Sequence, residues 1–262
     1  MQGRYGVYRI PSFKPINLLD ILAEPEIVFF GEVHRIPWII DLASYILRLR
    51  YEAGRIKFVG LEYFNYKMEH LVNDWLKDKI SWSEFLDEYM KGPEGFPLDE
   101  YRPILDYIKD VGVEVIGVMP PRDDARKISI YGLDAINTLP DPPISPDEVK
   151  LDYPGYRERI LEMIPKTGPM ARLDRDKIVM AQAYKDEVIA YKVSEAYKRF
   201  GYGVVITGYA HSEIYGSAST RASMRGVKNY IVITSRINPL PDVIKEFGRY
   251  KDLEARYIAI KI

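Results

Sequence analysis

Cysteine is absent from the 262 residues, histidine occurs only three times, and 37 Lys plus Arg nearly cancel 38 Asp plus Glu, leaving a formal net charge of -1. Each scarcity excludes something. Without thiols there is no disulfide framework, thiolate zinc site, iron–sulfur cluster or cysteine nucleophile, so any metal must be held by His, carboxylate, Tyr or carbonyl groups. A near-neutral chain lacks the bulk positive charge that grips nucleic acid phosphates or anionic lipid, and no bulk nucleic-acid binding is expected. No apolar run approaches the roughly 18–20 residues of a membrane span. Pro11 and Pro15 interrupt the first 19 residues before they reach the apolar length of a signal peptide, so the expected location is the cytoplasm.

What is present reads as globular. Hydrophobic residues make up 47% and charged residues 29%, values at which a chain of this length buries a core without a metal or disulfide staple. The abundance of Glu, Lys, Arg, Tyr and Pro together with the missing Cys suits a thermophile.

Four short apolar runs, Glu26–Phe30, Ile56–Leu61, Val113–Met119 and Gly203–Thr207, are bounded by turn or polar signals in the manner of buried parallel strands; Tyr230–Thr234 and Arg256–Ile260 follow. Helical spacing fills Trp38–Tyr51, Glu69–Lys79, Ser81–Met90, Asp99–Val111 and Asp174–Phe200, with Ser81 and Glu84 placed as a capping box. Alternation of the two periods predicts a single α/β domain over 1–262, with a mostly parallel central sheet flanked by helices. Residues 63–108 hold more helix than one crossover needs and read as a helical insertion. Residues 137–172 carry seven prolines and no period, as a loop or lid would.

The chemistry gathers at strand ends. The first strand closes in Gly31-Glu32-Val33-His34 and the fourth in Gly208-Tyr209-Ala210-His211, so two of the three histidines stand three residues beyond a glycine that ends an apolar run. In a parallel sheet the carboxyl ends of the strands converge on one crevice, where ligands bind. The second strand delivers Glu62 to that edge and the third delivers Arg122. On the long carboxyl-terminal helix, Gln182 and Asp186 fall on a stripe shared with Ile178, Ile189 and Val193, and a carboxylate there must find a partner. Imidazoles and carboxylates without thiolates suit a divalent metal such as Zn, Mn, Co or Fe, or a metal-free acid–base pair. Gly31 and Gly208 would let substrate or metal approach the backbone. His70, on an amphipathic helix, reads as a bystander.

These residues resemble the superfamily that joins ChaN haem-uptake proteins, erythromycin esterases, TraB/PrgY proteins and Tiki metalloproteases, whose shared mark is the GExH and GxxH pair. The ChaN-like branch is nearest: PPRDDARKISIYGL is similar to its asparagine-proline-arginine segment, although Met119-Pro120-Pro121-Arg122 lacks the asparagine, and QAYKDEVIAYKV with VVITGYAHSEIYGSAST is similar to its last helix, strand and histidine motif. The resemblance runs from about Ile27 to about Ile233. It implies an α/β fold with Glu and His at the carboxyl edge of the sheet. For the esterase branch it implies Glu32 and His34 in an active site with the histidine activating water; for the Tiki branch, a divalent metal; for the ChaN branch, haem.

The leading expectation is therefore a hydrolase, metal-dependent through Glu32, His34, Glu62 and His211, with Glu32, His34, Arg122 and His211 as catalytic residues and Arg122 holding an anionic group. Gly31, Gly208, Gln182 and Asp186 would border the cofactor. The substrate would be a small molecule or peptide, and the protein a homodimer. A haem-binding or haem-trafficking protein is the alternative, and a non-catalytic partner-binding protein that has kept the motif is a third.

Overall fold

The computed structural model describes residues 5–23, 25–165, 167, 172–235, 240–247 and 257–261. Among the described residues eight strands form one sheet: β1 (Tyr5–Arg9), β2 (Lys14–Pro15), β3 (Ile27–Glu32), β4 (Phe58–Asn65), β5 (Glu114–Met119), β6 (Gly203–Gly208), β7 (Asn229–Thr234) and β8 (Tyr257–Lys261). Their order across the sheet is β2-β1-β8-β7-β3-β6-β4-β5. Strands β3 to β8 run parallel, and the β1–β2 hairpin adds an antiparallel edge against β8. The expected α/β architecture is thus present, with all six expected strands; Arg256, assigned to the last of them, lies outside the described residues.

The strands are apolar throughout because both faces are covered. In β3, Val28 and Phe30 pack into one core with β4 and the helices α1 (Leu18–Leu22) and α2 (Pro37–Glu52), while Ile27 and Phe29 point into a second core beneath the long carboxyl-terminal helix. Period-two alternation sends neighbours to opposite faces, so a run of one character serves two cores.

The helical insertion begins after β4 ends at Asn65. It contains α3 (Glu69–Leu76), α4 (Trp82–Lys91), capped by the Ser81–Glu84 box, and α5 (Arg102–Val111). Trp75, Phe85 and Tyr89 lay an aromatic layer on Phe64 of β4. After β5 come α6 (Arg122–Tyr131), α7 (Tyr156–Met163) and α8 (Arg175–Phe200), followed by α9 (Ala218–Met224) and α10 (Leu240–Phe247).

The proline-rich segment is more ordered than its sequence suggests. It holds α7, and Leu139, Ile144, Val149, Tyr156 and Ile160 build a third core against Ala183, Tyr184 and Val188 of α8. Its prolines break the period of the backbone, but its apolar side chains still find a common partner. Residues 166 and 168–171 of this segment lie outside the described set.

One buried cation orders the approach to β3. Arg50 of α2 is fully buried and, among the described residues, forms no ion pair with a carboxylate; it donates from Nη1 to the carbonyls of Leu22 and Pro25 and from Nη2 to that of Glu26. Burial holds its pKa down at about 10, still far above neutrality. Arg50→Ala strands three carbonyls, and hydrogen bonds to charged donors contribute about 1.5–3 kcal/mol each before relaxation. We expect denaturant unfolding to report a net loss of about 3 kcal/mol.

Candidate active site

The sheet order creates the site. Strand β6 returns between β3 and β4, with Glu32 paired to Gly208 and Leu61 to Ile206. The GEVH and GYAH turns therefore emerge side by side, with Glu62 on the far flank. Thr234, at the end of β7, closes the other flank: its Oγ1 accepts from the Val33 N–H at 2.9 Å and donates to the Gly31 carbonyl at 3.1 Å.

Both motif glycines are required by the neighbouring motif. A Cβ on Gly31 would stand 3.0 Å from the Tyr209 Cα, and one on Gly208 would stand 2.9 Å from His34 Nε2. Their bareness lets two turns share one place, a role more local than the approach of substrate or metal.

His34 belongs to a carboxylate-oriented dyad. Its Nδ1 lies 2.8 Å from Glu32 Oε1, which also accepts from the Tyr63 hydroxyl at 3.0 Å; Glu32 is fully buried and its Oε2 has no partner. With Nδ1–H donated to Glu32, Nε2 carries the lone pair, and it faces Glu62 Oε1 at 3.7 Å. Glu62 is itself held by accepting the Gly208 N–H. The insertion buttresses this dyad: Phe96 meets the His34 ring edge-on at 5.3 Å, Tyr63 stacks on Phe96 and touches Tyr101, and the Tyr101 hydroxyl accepts the Arg35 N–H. Arg35, in left-handed backbone at φ 64°, is fastened by a fork onto Glu100. Burial and then the charge of Glu32 push the Tyr63 and Tyr101 phenols well up, so both stay protonated donors.

His211 belongs to a second dyad. Its Nδ1 is 2.5 Å from Asp186 Oδ1, and Asp186 Oδ2 accepts from the Tyr156 hydroxyl at 2.5 Å. The partner demanded by a carboxylate on the apolar stripe of α8 is thus a histidine from one element and a tyrosine from another. Gln182, one turn earlier, places its amide nitrogen 3.4 Å from His211 Nε2. Burial alone would lower the His211 pKa, but the charge and hydrogen bond of Asp186, helped by Glu62, outweigh it and raise the pKa above 6.5. Lys185 is lowered by burial, with Glu62 and Asp186 opposing and Arg122 adding to the shift.

A cavity of about 520 Å³ opens onto Glu32, His34, Glu62, Gln182, Gly208 and His211. Its outer wall is built by α7, α10 and the start of α8, among them Ile160, Met163, Ile178 and Phe247. Arg122 is not part of that lining. As the first residue of α6 it donates from Nη1 to the carbonyls of Pro93 and Glu94, so it secures the insertion loop where an anion-holding role was expected. His70 sits outside the site, with Nδ1 against the Lys67 carbonyl.

The donor set does not suit a resident metal. Glu32 and Asp186 are spent orienting imidazoles, and among the described residues no three His, Asp or Glu side chains are grouped to hold an ion. Glu32, His34, Glu62 and His211 are close neighbours in the fold without forming the shared ligand shell expected of them.

Tyr63, Tyr156 and Arg159 escaped prediction. Only Tyr63, adjacent to Glu62, carried a positional signal; Tyr156 lies in the period-free segment, where no spacing marks it.

An α/β fold with paired histidine–carboxylate dyads at the carboxyl edge of a parallel sheet defines the class. The profile of the family described as "Haem-binding uptake, Tiki superfamily, ChaN" matches residues 18–221, and the chain belongs to that family. Its fold is similar to that of ChaN of Campylobacter jejuni, a protein described by its cofacial haem binding, at TM-score 0.70 and 14% identity over 100% of this chain and 98% of that one. A mutant of the erythromycin esterase EreC in its open conformation aligns at TM-score 0.54 and 12% identity, covering 98% of this chain and 97% of that one. Protein RETICULATA-RELATED 5, chloroplastic, of Arabidopsis thaliana is 27% identical over 243 residues, 87% of this chain; the chain spans only 32% of that protein's length. Among the described residues no helix is long and apolar enough to cross a membrane.

The raised pKa of His211 sets the sign of a pH test. A histidine raised on folding adds stability that is complete below 6.5 and fades as pH rises through its folded value. Asp186→Asn should cost about 3 kcal/mol in acid, as expected for breaking a buried pair. The gap to the parent protein should narrow at alkaline pH in unfolding titrations.

Proposed function

We propose that the protein is a metal-independent hydrolase of ester-like bonds. The observation that carries this is the disposition of His34 Nε2 and Glu62 Oε1, 3.7 Å apart on the cavity floor, where both can accept from one water molecule. A base oriented by a carboxylate on its other nitrogen follows the logic of catalytic triads, in which the acid holds the tautomer and stabilises the imidazolium. His34 Nε2 takes a proton from the attacking water as its oxygen bonds to the acyl carbon. As the bond to the leaving oxygen breaks, protonated His211 supplies that oxygen with a proton. The elevated pKa of His211 suits it to the acid role near neutrality, and the Gln182 amide is a neutral donor beside it. Tyr63 and Tyr156 act through the carboxylates they hold and are positioning residues.

Removing an acid or base typically costs about 10²–10⁴ in rate. With p-nitrophenyl esters and chelator present throughout, His34→Ala should lose turnover by that factor with its fold intact by circular dichroism. Turnover by the parent should fall at alkaline pH as His211 gives up its proton. Undiminished hydrolysis by His34→Ala, or none by the parent, overturns the reading.

Family membership favours a second reading, haem binding. Within this site both Nδ1 atoms serve carboxylates, and the half-buried Tyr209 stands on the cavity wall as the phenol that would hold the iron. Phenolate ligation is one of the established ways of holding haem iron, and haem so held would supply redox or carrier chemistry. Titration with haemin should then give a saturable Soret shift that Tyr209→Phe abolishes and His34→Ala leaves; absence of any shift removes this reading.

A further inference from the structure

We propose that Thr234 is a positioning residue of the Glu32–His34 dyad: its hydroxyl clasps the two peptide groups that flank Glu32 and so sets where His34 Nε2 points. As a statement about turnover this rests on the hydrolase reading; as a statement about the imidazole it stands on geometry alone.

The need for such a residue follows from how β3 ends. On the β6 side its backbone pairing runs on to Glu32 and Gly208, but on the β7 side the last pair is Gly31 and Ile233. One residue further, the backbone of Thr234 pairs with Ala259 of β8. Beyond Gly31, β3 therefore meets a side chain of β7. The Thr234 hydroxyl accepts the Val33 N–H at 2.9 Å and donates to the Gly31 carbonyl at 3.1 Å. A hydroxyl has a single proton, and here it goes to Gly31. None remains for a ligand, so Thr234, although it borders the cavity, acts through its neighbours.

Those neighbours are the dyad. Glu32 and His34 are separated only by Val33, yet Glu32 Oε1 lies 2.8 Å from His34 Nδ1. A rotation of either peptide beside Glu32 swings the carboxylate and carries the His34 backbone with it, so it is felt at both ends of that hydrogen bond. The carboxylate end is held from β4 by the Tyr63 hydroxyl at 3.0 Å. Thr234 holds the backbone end from β7. Thr234 and Glu32 are both buried, so a lost hydroxyl leaves the Val33 N–H and the Gly31 carbonyl without bulk water to take its place. Valine suits a strand and has the same branched shape, so Thr234→Val removes the hydroxyl and little else.

Two readouts on the whole protein test this. With p-nitrophenyl esters, Thr234→Val should lower kcat about 10- to 100-fold and leave KM within about twofold, while Thr234→Ser restores kcat to within about threefold. Long-range proton–nitrogen NMR spectra in alkaline buffer read the tautomer of each neutral imidazole. The chain has three histidines, and the His34 signal is the one missing from His34→Ala. In the parent and in Thr234→Ser it should report Nδ1–H; in Thr234→Val it should move toward Nε2–H, with the His211 signals unmoved. Should Thr234→Val not fold, Thr234→Ala takes its place with the same expectations; if neither folds while Thr234→Ser does, the hydroxyl is structural and the proposal falls. An unchanged His34 tautomer, an equal shift at His211, a kcat equal to that of an active parent, or a serine variant as impaired as the valine one also overturns it. If the parent turns over no ester but the tautomer moves as stated, the hydrolase reading falls and the positioning stands. If esters turn over while the tautomer stays, the reverse is true.

Discussion

The return of β6 between β3 and β4 is the constraint on which the rest depends. It seats the GYAH turn against the GEVH turn so closely that neither glycine could carry a methyl group without displacing its neighbour. Once the two turns are locked in this way, Glu62 of β4 has one backbone N–H to accept, that of Gly208, and one imidazole to face. A pairing register, rather than any single contact, thus decides where three ionisable groups meet.

Around that register the fold builds two supports of different kinds. On one side Tyr63 of β4, with Phe96 and Tyr101 of the helical insertion, surrounds Glu32 and His34, an aromatic setting of low dielectric in which a carboxylate–imidazole bond is stronger than in water. On the other, the proline-rich segment reaches in with Tyr156 to hold Asp186 and with Arg159 to hold Glu213. The two segments that departed from regular α/β alternation therefore support the two dyads. Such departures concentrate where a fold has been adapted to a site.

The carboxylates explain why a metal reading of the motifs is natural and yet the geometry differs. Glu, His and Asp at strand ends are the same residue types that ligate divalent ions. Here Glu32 and Asp186 each face an imidazole at hydrogen-bonding distance, and an oxygen that orients a histidine is committed to it. Residue type and proximity cannot separate the two arrangements; the direction of each carboxylate can.

Strands, helices and their alternation were legible in the sequence, because period two and period 3.6 are local properties of apolar spacing. So was the placement of both histidines, since a glycine closing an apolar run marks a strand end wherever the strand lies in the sheet. The stripe on α8 also announced that Asp186 would need a partner, without naming His211 or Tyr156. What the sequence alone could not carry was the strand order, the diversion of Arg122 to the carbonyls of Pro93 and Glu94, and the recruitment of Tyr156 and Arg159 from a segment with no period. Those depend on contacts between residues far apart in the chain, where local spacing holds no information and only the packed structure decides which groups share a place.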